Sequence, residues 1–253
     1  MIKTLVSVDP DLSSSIALRY TCQLAQWFEM QIQAIHAGKT QSGVLAGWAS
    51  RTWEKTQLEE SKKEIEQLLT AEKRSCPVSI SPIIVSGDPK KEILEHLEKG
   101  RYDLFVEGVP RPLSTKVLSK RFQVPLYKAA PCPVLLVQNL LPVEKVLLVL
   151  RERPLSRALL AGFNTLFKGA GWIVEGIIPK FLPPCLEKEE AEKLLEDYEC
   201  PVKMIHDVES IGELSGFSDY GMVAVGVNRT KLKDSSILEI MEKIPSPMLF
   251  CWA

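Results

Sequence analysis

One phrase occurs twice. Residues 102–111 read YDLFVEGVPR, and residues 220–229 read YGMVAVGVNR. Each puts a tyrosine before an apolar run, a glycine at its end and an arginine three residues past the glycine. Other segments recur as well. KTLVSVD at 3–9 matches KVLLVLR at 145–151, SCPVSI at 75–80 matches ECPVKM at 199–204, and PCPVLLV at 131–137 matches PSPMLFC at 245–251. The landmarks keep their order. Their separations shrink from 142 (Lys3 to Lys145) through 124 (Cys76 to Cys200) and 118 (Gly108 to Gly226) to 114 (Pro131 to Pro245). Order kept under shrinking offsets means one unit duplicated, with pieces deleted from the second copy. A period this long implies two domains, not a solenoid. They are placed at residues 1–140 and 143–253. The linker, about Gln138 to Pro142, is short enough that the domains should pack together.

Within each copy, strand and helix patterns alternate. IKTLVSV is a near-continuous apolar run, as a parallel strand buried on both faces should be. Asp11 or Ser13 can cap the helix that follows. IQAIHA, PVSISPIIV, DLFVEG and PVLLV supply four more strands, and Pro82 marks the third as an edge or bulge. Residues 54–73 form a charged helix with an apolar stripe at Leu58, Ile65, Leu68 and Leu69. Asp88 and Pro89 start a short helix, and Pro125 must end or kink a helix over 113–128. The second copy predicts strands near 145–150, 172–178, 201–205, 221–226 and 247–251. Its helices fall near 156–168, 186–197, 208–215 and 235–243. Alternating β and α gives an α/β fold: two Rossmann-like, doubly wound domains, each a five-stranded, mainly parallel sheet with helices on both faces.

Composition narrows the function classes. The net charge is −1, so there is no global case for a nucleic-acid or anionic-membrane partner. No apolar run approaches the ~20 residues needed to span a bilayer, and the N-terminus enters a strand directly rather than a signal peptide. The chain is read as cytoplasmic. The six cysteines form no C-x-x-C pair and the three histidines are scattered, so no metal site is expected. All six cysteines are read as small buried hydrophobes in a reducing compartment.

The phrases SGDPKKEIL at 86–94, YDLFVEG at 102–108 and APCPVLLV at 130–137, after a first strand ending in Asp9, resemble the universal stress protein family. The resemblance covers nearly the whole chain as a tandem and is strongest in the first half. It implies Rossmann-like five-stranded sheets and dimers that pair through the last strand. In tandem members the two halves mimic that dimer as a pseudo-dimer, with PVLLV beside PMLFC. A homodimer or a protein partner is also open. Some members bind ATP or AMP through Gly, two residues, Gly, nine residues, then Gly-Ser or Gly-Thr, where glycine backbone cradles phosphate.

This chain departs from that signature. The first half keeps Gly108, but Arg111 stands at the second glycine, and the late pair falls at Lys120-Arg121, after Ser119. In the second half Gly226 stays, Arg229 replaces the second glycine, and the late pair lands near Asp234-Ser235. The first-strand acid is Asp9 in one half and Arg151 in the other. No cofactor is expected, although ATP or AMP is possible in the first half. Its candidate residues are Asp9, Gly108, Arg111, Ser119, Lys120 and Arg121. Arg111 has two readings. With Lys116, Lys120 and Arg121 it holds an anion through side chains, or it points to solvent, pairs with an acid or plugs a vacant pocket. Charge runs on helices are ordinarily solvated, which favours the second.

Other features carry less. GKT at 38–40 lacks the upstream glycine of a P-loop, with Gln33 in its place. Trp48 and Trp53, in a segment missing from the second half, read as an interface or packing patch rather than a lid. Ser13–Ser15 fit helix capping, no G-x-S-x-G elbow is present, and His36 ends the second strand without an evident partner. No base, nucleophile or metal cluster supports an enzyme. The sequence reads as a non-catalytic stress-response or interaction protein without a standard ATP site. The alternative is a nucleotide or anion switch in the first domain.

Overall fold

A computed structural model describes residues 1–38, 48–110, 115–229 and 235–253, without the side chains of 48–58 and 235–236. The first half supplies β1 (Ile2–Ser7), α1 (Leu12–Leu24), β2 (Met30–Gly38), α2 (Trp48–Lys73), β3 (Ile80–Ser86) and α3 (Pro89–Gly100). It continues with β4 (Leu104–Gly108), α4 (Thr115–Phe122), α5 (Pro125–Ala129) and β5 (Val134–Val137). The second half supplies β6 (Lys145–Val149), α6 (Arg153–Phe167), β7 (Ile173–Pro179), α7 (Lys188–Asp197) and β8 (Val202–Val208). A 3₁₀ turn over Ile211–Phe217, β9 (Met222–Val227), α8 (Ser235–Lys243) and β10 (Met248–Trp252) complete it.

Local chemistry sets the boundaries. Of the two caps the sequence offers, α1 uses Asp11, whose carboxylate accepts the Ser14 N–H at 2.8 Å. Asp88 caps α3, accepting the N–H groups of Lys90 and Lys91. Pro125 breaks the helix predicted over 113–128. Val124 before it is held extended, and α5 restarts with the proline in its first turn.

The ten strands form one sheet in the order β3-β2-β1-β4-β5-β10-β9-β6-β7-β8. Its two flanks read the same from the middle outward. All pairs are parallel except the central one, where β5 and β10 run antiparallel and Leu135 faces Leu249. Leu249 lies 114 residues after Leu135, the offset of this part of the repeat, so the joint maps onto itself under a two-fold exchange of halves. Its flanking hydrogen bonds obey the same exchange. The Gln138 amide donates to the Ser246 carbonyl, and the Trp252 indole N–H donates to the Cys132 carbonyl. Cys132 and Ser246, like Gln138 and Trp252, are again 114 apart. The symmetry reaches the sheet's lower rim. Lys3 lies over the Tyr102 ring and Lys145 over the Tyr220 ring, while the two tyrosine hydroxyls donate to Gln33 and Glu175.

Two apolar layers sandwich the sheet, and each spans both halves. One gathers α1, α2, α6 and α7; the other gathers α3, α4, α5 and α8. Between α1 and α6, Phe28 and Trp27 of the first half meet Phe167 and Trp172 of the second at ring distances of 5.2–6.2 Å. On α2 the apolar stripe through Ile65 and Leu69 carries Glu72 one turn further, nearly fully buried. Arg19 on α1 donates two hydrogen bonds to its carboxylate, at 2.6 and 3.0 Å. Burying that carboxylate requires such a partner.

The reading of all six cysteines as free thiols is corrected. Cys22 of α1 and Cys76, just before β3, form a disulfide with a Cα–Cα distance of 4.9 Å. They lie 54 residues apart, and only the fold brings them together. Cys132, Cys185, Cys200 and Cys251 are free. Burial pushes the thiols of Cys132 and Cys251 up to about 12 and that of Cys200 to about 11, so these three stay protonated near neutrality.

Candidate functional site

In a sheet of this order, ligands bind beyond the carboxyl ends of the strands, where neighbouring connections leave on opposite faces. In the first half that place is the crest of β1 and β4. Gly108 ends β4 there. A Cβ added to it would lie 2.1 Å from the Ser13 carbonyl oxygen, in the first turn of α1. Gly226 ends β9 in the same way, and its Cβ would lie 1.9 Å from the Leu155 carbonyl oxygen of α6. Both glycines of the repeated phrase are therefore required by strand–helix contact, whatever binds above them.

The turn leaving β1 is also duplicated. Ser14 accepts the Asp9 N–H at 2.8 Å, and Ser156 accepts the Arg151 N–H at 3.0 Å. Of the three serines after β1, Ser14 thus ties the turn to its helix. The offset of 142 between Ser14 and Ser156 was available in the sequence as a signal for this role.

Above that shared frame the halves differ. Asp9 is two-thirds exposed, and its carboxylate lies 3.0 Å from Nδ1 of His36, which is buried at the end of β2. The same nitrogen is 3.0 Å from the Val8 carbonyl. The register Ser7↔Ile35 carries the two strand ends side by side and brings the pair together. At the corresponding places in the second half stand Arg151 and Ile178, both buried. An exposed acid with a histidine beneath it is thus a feature of the first half.

His36 titrates above the ordinary histidine range. The hydrogen bond to Asp9 is the main cause and burial opposes it. The Val8 carbonyl and the carboxylates of Asp9 and Glu64 add to the rise. A raised folded-state value means the pair's stabilisation is complete below the unfolded pKa of about 6.5 and is lost as pH climbs through the folded value. Asp9→Asn is expected to lower the His36 midpoint, read by NMR titration of the ring. It should cost less than about 1 kcal/mol below pH 6.5, because Asp9 is solvent-screened. An unchanged midpoint would remove Asp9 as the cause.

The remaining sequence-predicted residues separate. Arg121 turns inward and its Nη1 donates to Glu107 on β4 at 2.5 Å and to the buried Tyr127 hydroxyl of α5 at 3.1 Å. Tyr127 itself donates to Glu107. The guanidinium is thereby engaged within the protein, tying α4 and α5 to the end of β4. Burial and the Glu107 carboxylate together push the Tyr127 hydroxyl well up. Lys120 is exposed and Ser119 partly buried. Arg111, Lys231, Lys233, Asp234 and the side chains of Trp48, Trp53 and Ser235 lie outside the described residues. The second-half arginine of the repeated phrase is placed: the Arg229 guanidinium lies over the Trp252 ring, 5.2 Å from its centre, and donates to the Lys128 carbonyl at 3.3 Å. It belongs to the seam between the halves. Among the described residues no group of three or more His, Cys, Asp or Glu could hold a metal ion, and no helix is long and apolar enough to cross a membrane.

A family model described as "Universal stress protein family" matches residues 1–138. The chain belongs to the universal stress protein family. Solved structures of similar fold include a universal stress protein from Archaeoglobus fulgidus. It is 13% identical with a TM-score of 0.69, and the match covers 99% of this chain and 96% of that one. A functionally unknown protein from Pseudomonas aeruginosa is 14% identical with a TM-score of 0.58, covering 99% of this chain and 92% of that one. A universal stress protein family protein from Arabidopsis thaliana with AMP bound is 20% identical over 55% of this chain and 92% of its own, with a TM-score of 0.38. No curated protein sequence matches the chain. At these identities the structural likenesses speak for the universal stress protein fold alone.

Proposed function

We propose that this universal stress family protein is a tandem of two domains, 1–140 and 143–253. In this reading the second domain acts as a built-in dimer partner for the first, and the whole works as a non-catalytic stress-response or interaction protein without a standard ATP site. The observation that carries this reading is the fate of the signature positions. The two glycines that remain, Gly108 and Gly226, are those the strand–helix contacts require. At the first-strand position of the second half a buried Arg151 replaces the acid, and Arg121 in the first half is engaged by Glu107 and Tyr127. Neither supplies the open glycine backbone on which phosphate cradles depend. A cytoplasmic location is part of the proposal. The Cys22–Cys76 bridge would persist there only under oxidising conditions.

A second reading rests on the Asp9–His36 pair, which the second half lacks. Here the first domain binds ATP, AMP or a simpler anion near Asp9 and Gly108, with Arg111 as the cation. Calorimetric titration of nucleotide-stripped protein with ATP, ADP and AMP, repeated on Arg111→Ala, separates the two. The first reading expects no heat of binding up to millimolar nucleotide. Micromolar binding that is lost in Arg111→Ala overturns it in favour of the second. Binding seen only in Arg111→Ala would identify the arginine as a plug.

A further inference from the structure

The two flanks of the central seam are filled differently. On one, Tyr20 of α1 is fully buried, and its hydroxyl donates to the Gly221 carbonyl at 2.7 Å. By the offsets of the repeat, the counterpart of Tyr20 is Gly162 of α6, and the counterpart of Gly221 is Asp103. A tyrosine facing a glycine on one flank becomes a glycine and an aspartate on the other. There a cleft of about 400 Å3 opens between α6 and the joint. Its residues do not include Arg151 or Gly226, so it is distinct from the crest above β6 and β9.

The α6 wall of the cleft is small at Ala158, Ala161 and Gly162 and larger at Thr165 and Leu166, and the lining has one cationic group, Arg229. Ala158, Ala161 and Gly162 present at most a methyl each. Gly162 also sets how closely α6 lies on β10, since a Cβ there would come within 2.7 Å of the Cys251 sulfur. Opposite stand Trp252 and Arg229. The guanidinium lies over the indole and donates to the Lys128 carbonyl, and a guanidinium carries five donors in a rigid fork suited to a carboxylate. Asp103 is the cleft's acidic group, and its carboxylate already accepts the Lys3 N–H at 2.8 Å. Asp103 also lines the cleft, so it opposes a singly charged anion less than it would a polyphosphate. The volume lies in the range of small-molecule sites, which pair apolar walls with a few fixed polar groups.

We propose that this seam cleft binds a small monocarboxylic acid with an apolar body. The carboxylate lies on Arg229 and the body against Ala158, Ala161 and Gly162. The test uses benzoate as probe, with neutral benzamide beside it, followed by saturation-transfer NMR on the full chain. Benzoate is expected to bind with a Kd of about 1 mM or tighter, and benzamide at least about tenfold more weakly, as loss of a charge-assisted pair implies. Arg229→Gln should weaken benzoate at least about tenfold. Ala161→Phe, at an exposed helix position that leaves the fold intact, should abolish binding by filling the cleft. No benzoate signal up to about 10 mM overturns the proposal. So does binding that both substitutions leave unchanged, or equal binding of benzamide.

Discussion

Gly226→Ala is expected to destabilise the protein by about 3 kcal/mol or more, a large effect for one methyl group. The added carbon would sit 1.9 Å from the Leu155 carbonyl oxygen and 2.6 Å from its carbon. Both are backbone atoms of α6, so no side-chain rotation relieves the overlap. Either α6 lifts from the sheet, opening gaps around buried Leu159 and Leu160, or β9 bends out of its ladder with β6 and β10. Gly226 has no left-handed backbone, so the cost comes from contact and not from conformation. Gly108→Ala should behave alike, with its carbon 2.1 Å from the Ser13 oxygen. Gly216→Ala is the control: a Cβ there meets nothing within 4 Å, and its effect should stay within about 0.5 kcal/mol. Urea denaturation midpoints decide. A near-native midpoint for Gly226→Ala would show that the helix can retreat cheaply and that the repeated glycine has another purpose.

Phe167→Ala is expected to cost about 3–5 kcal/mol, the range for removing a buried aromatic side chain. Its ring is 5.3 Å from Phe28, 5.2 Å from Trp172 and 5.6 Å from Phe163. Phe28 belongs to the first half and the other two to the second, so part of the loss falls on the contact between the halves. A chain of this length should lose about 2–4 °C in Tm per kcal/mol, or about 10 °C in all. Calorimetry carries a second readout. If this cluster couples the halves, the melting peak should broaden or split as one half outlasts the other. A Tm within about 2 °C of the parent's would mean that the β5–β10 joint holds the halves together without the aromatic cluster.

Much of the fold was legible because it rests on local pattern. Near-continuous apolar runs such as VLLV and MVAVGV mark strands buried on both faces, Asp88-Pro89 marks a helix start, and Pro125 marks a break in the helix before it. Pro82 marked its strand as an edge or a bulge, and β3 is an edge, pairing with β2 alone. The fixed order of repeated segments then implied the same layout twice. What escaped was long-range. Cys22 and Cys76 lie on elements whose approach depends on α1 packing beside the start of β3. Glu72 looked like one more charge on a charged helix until Arg19 arrived from another. His36 seemed unpartnered because Asp9 reaches it only through the β1–β2 register. At the candidate site, Gly108 was found as a motif residue although packing explains it. Arg121 was grouped with Arg111 by sequence proximity, yet the α4–α5 break aims it at Glu107.

The antiparallel joint between β5 and β10 has an evolutionary consequence. In an assembly of two identical chains, every mutation is imposed at both symmetry-related places, and a change helpful in one must be tolerated in the other. Here the related places are encoded separately. Tyr20 and Gly162, Asp9 and Arg151, and Gln33 and Glu175 occupy matched positions with unlike side chains. Each member of such a pair can therefore change alone, and one flank of the seam carries Tyr20 on the Gly221 carbonyl where the other carries Gly162 and Asp103.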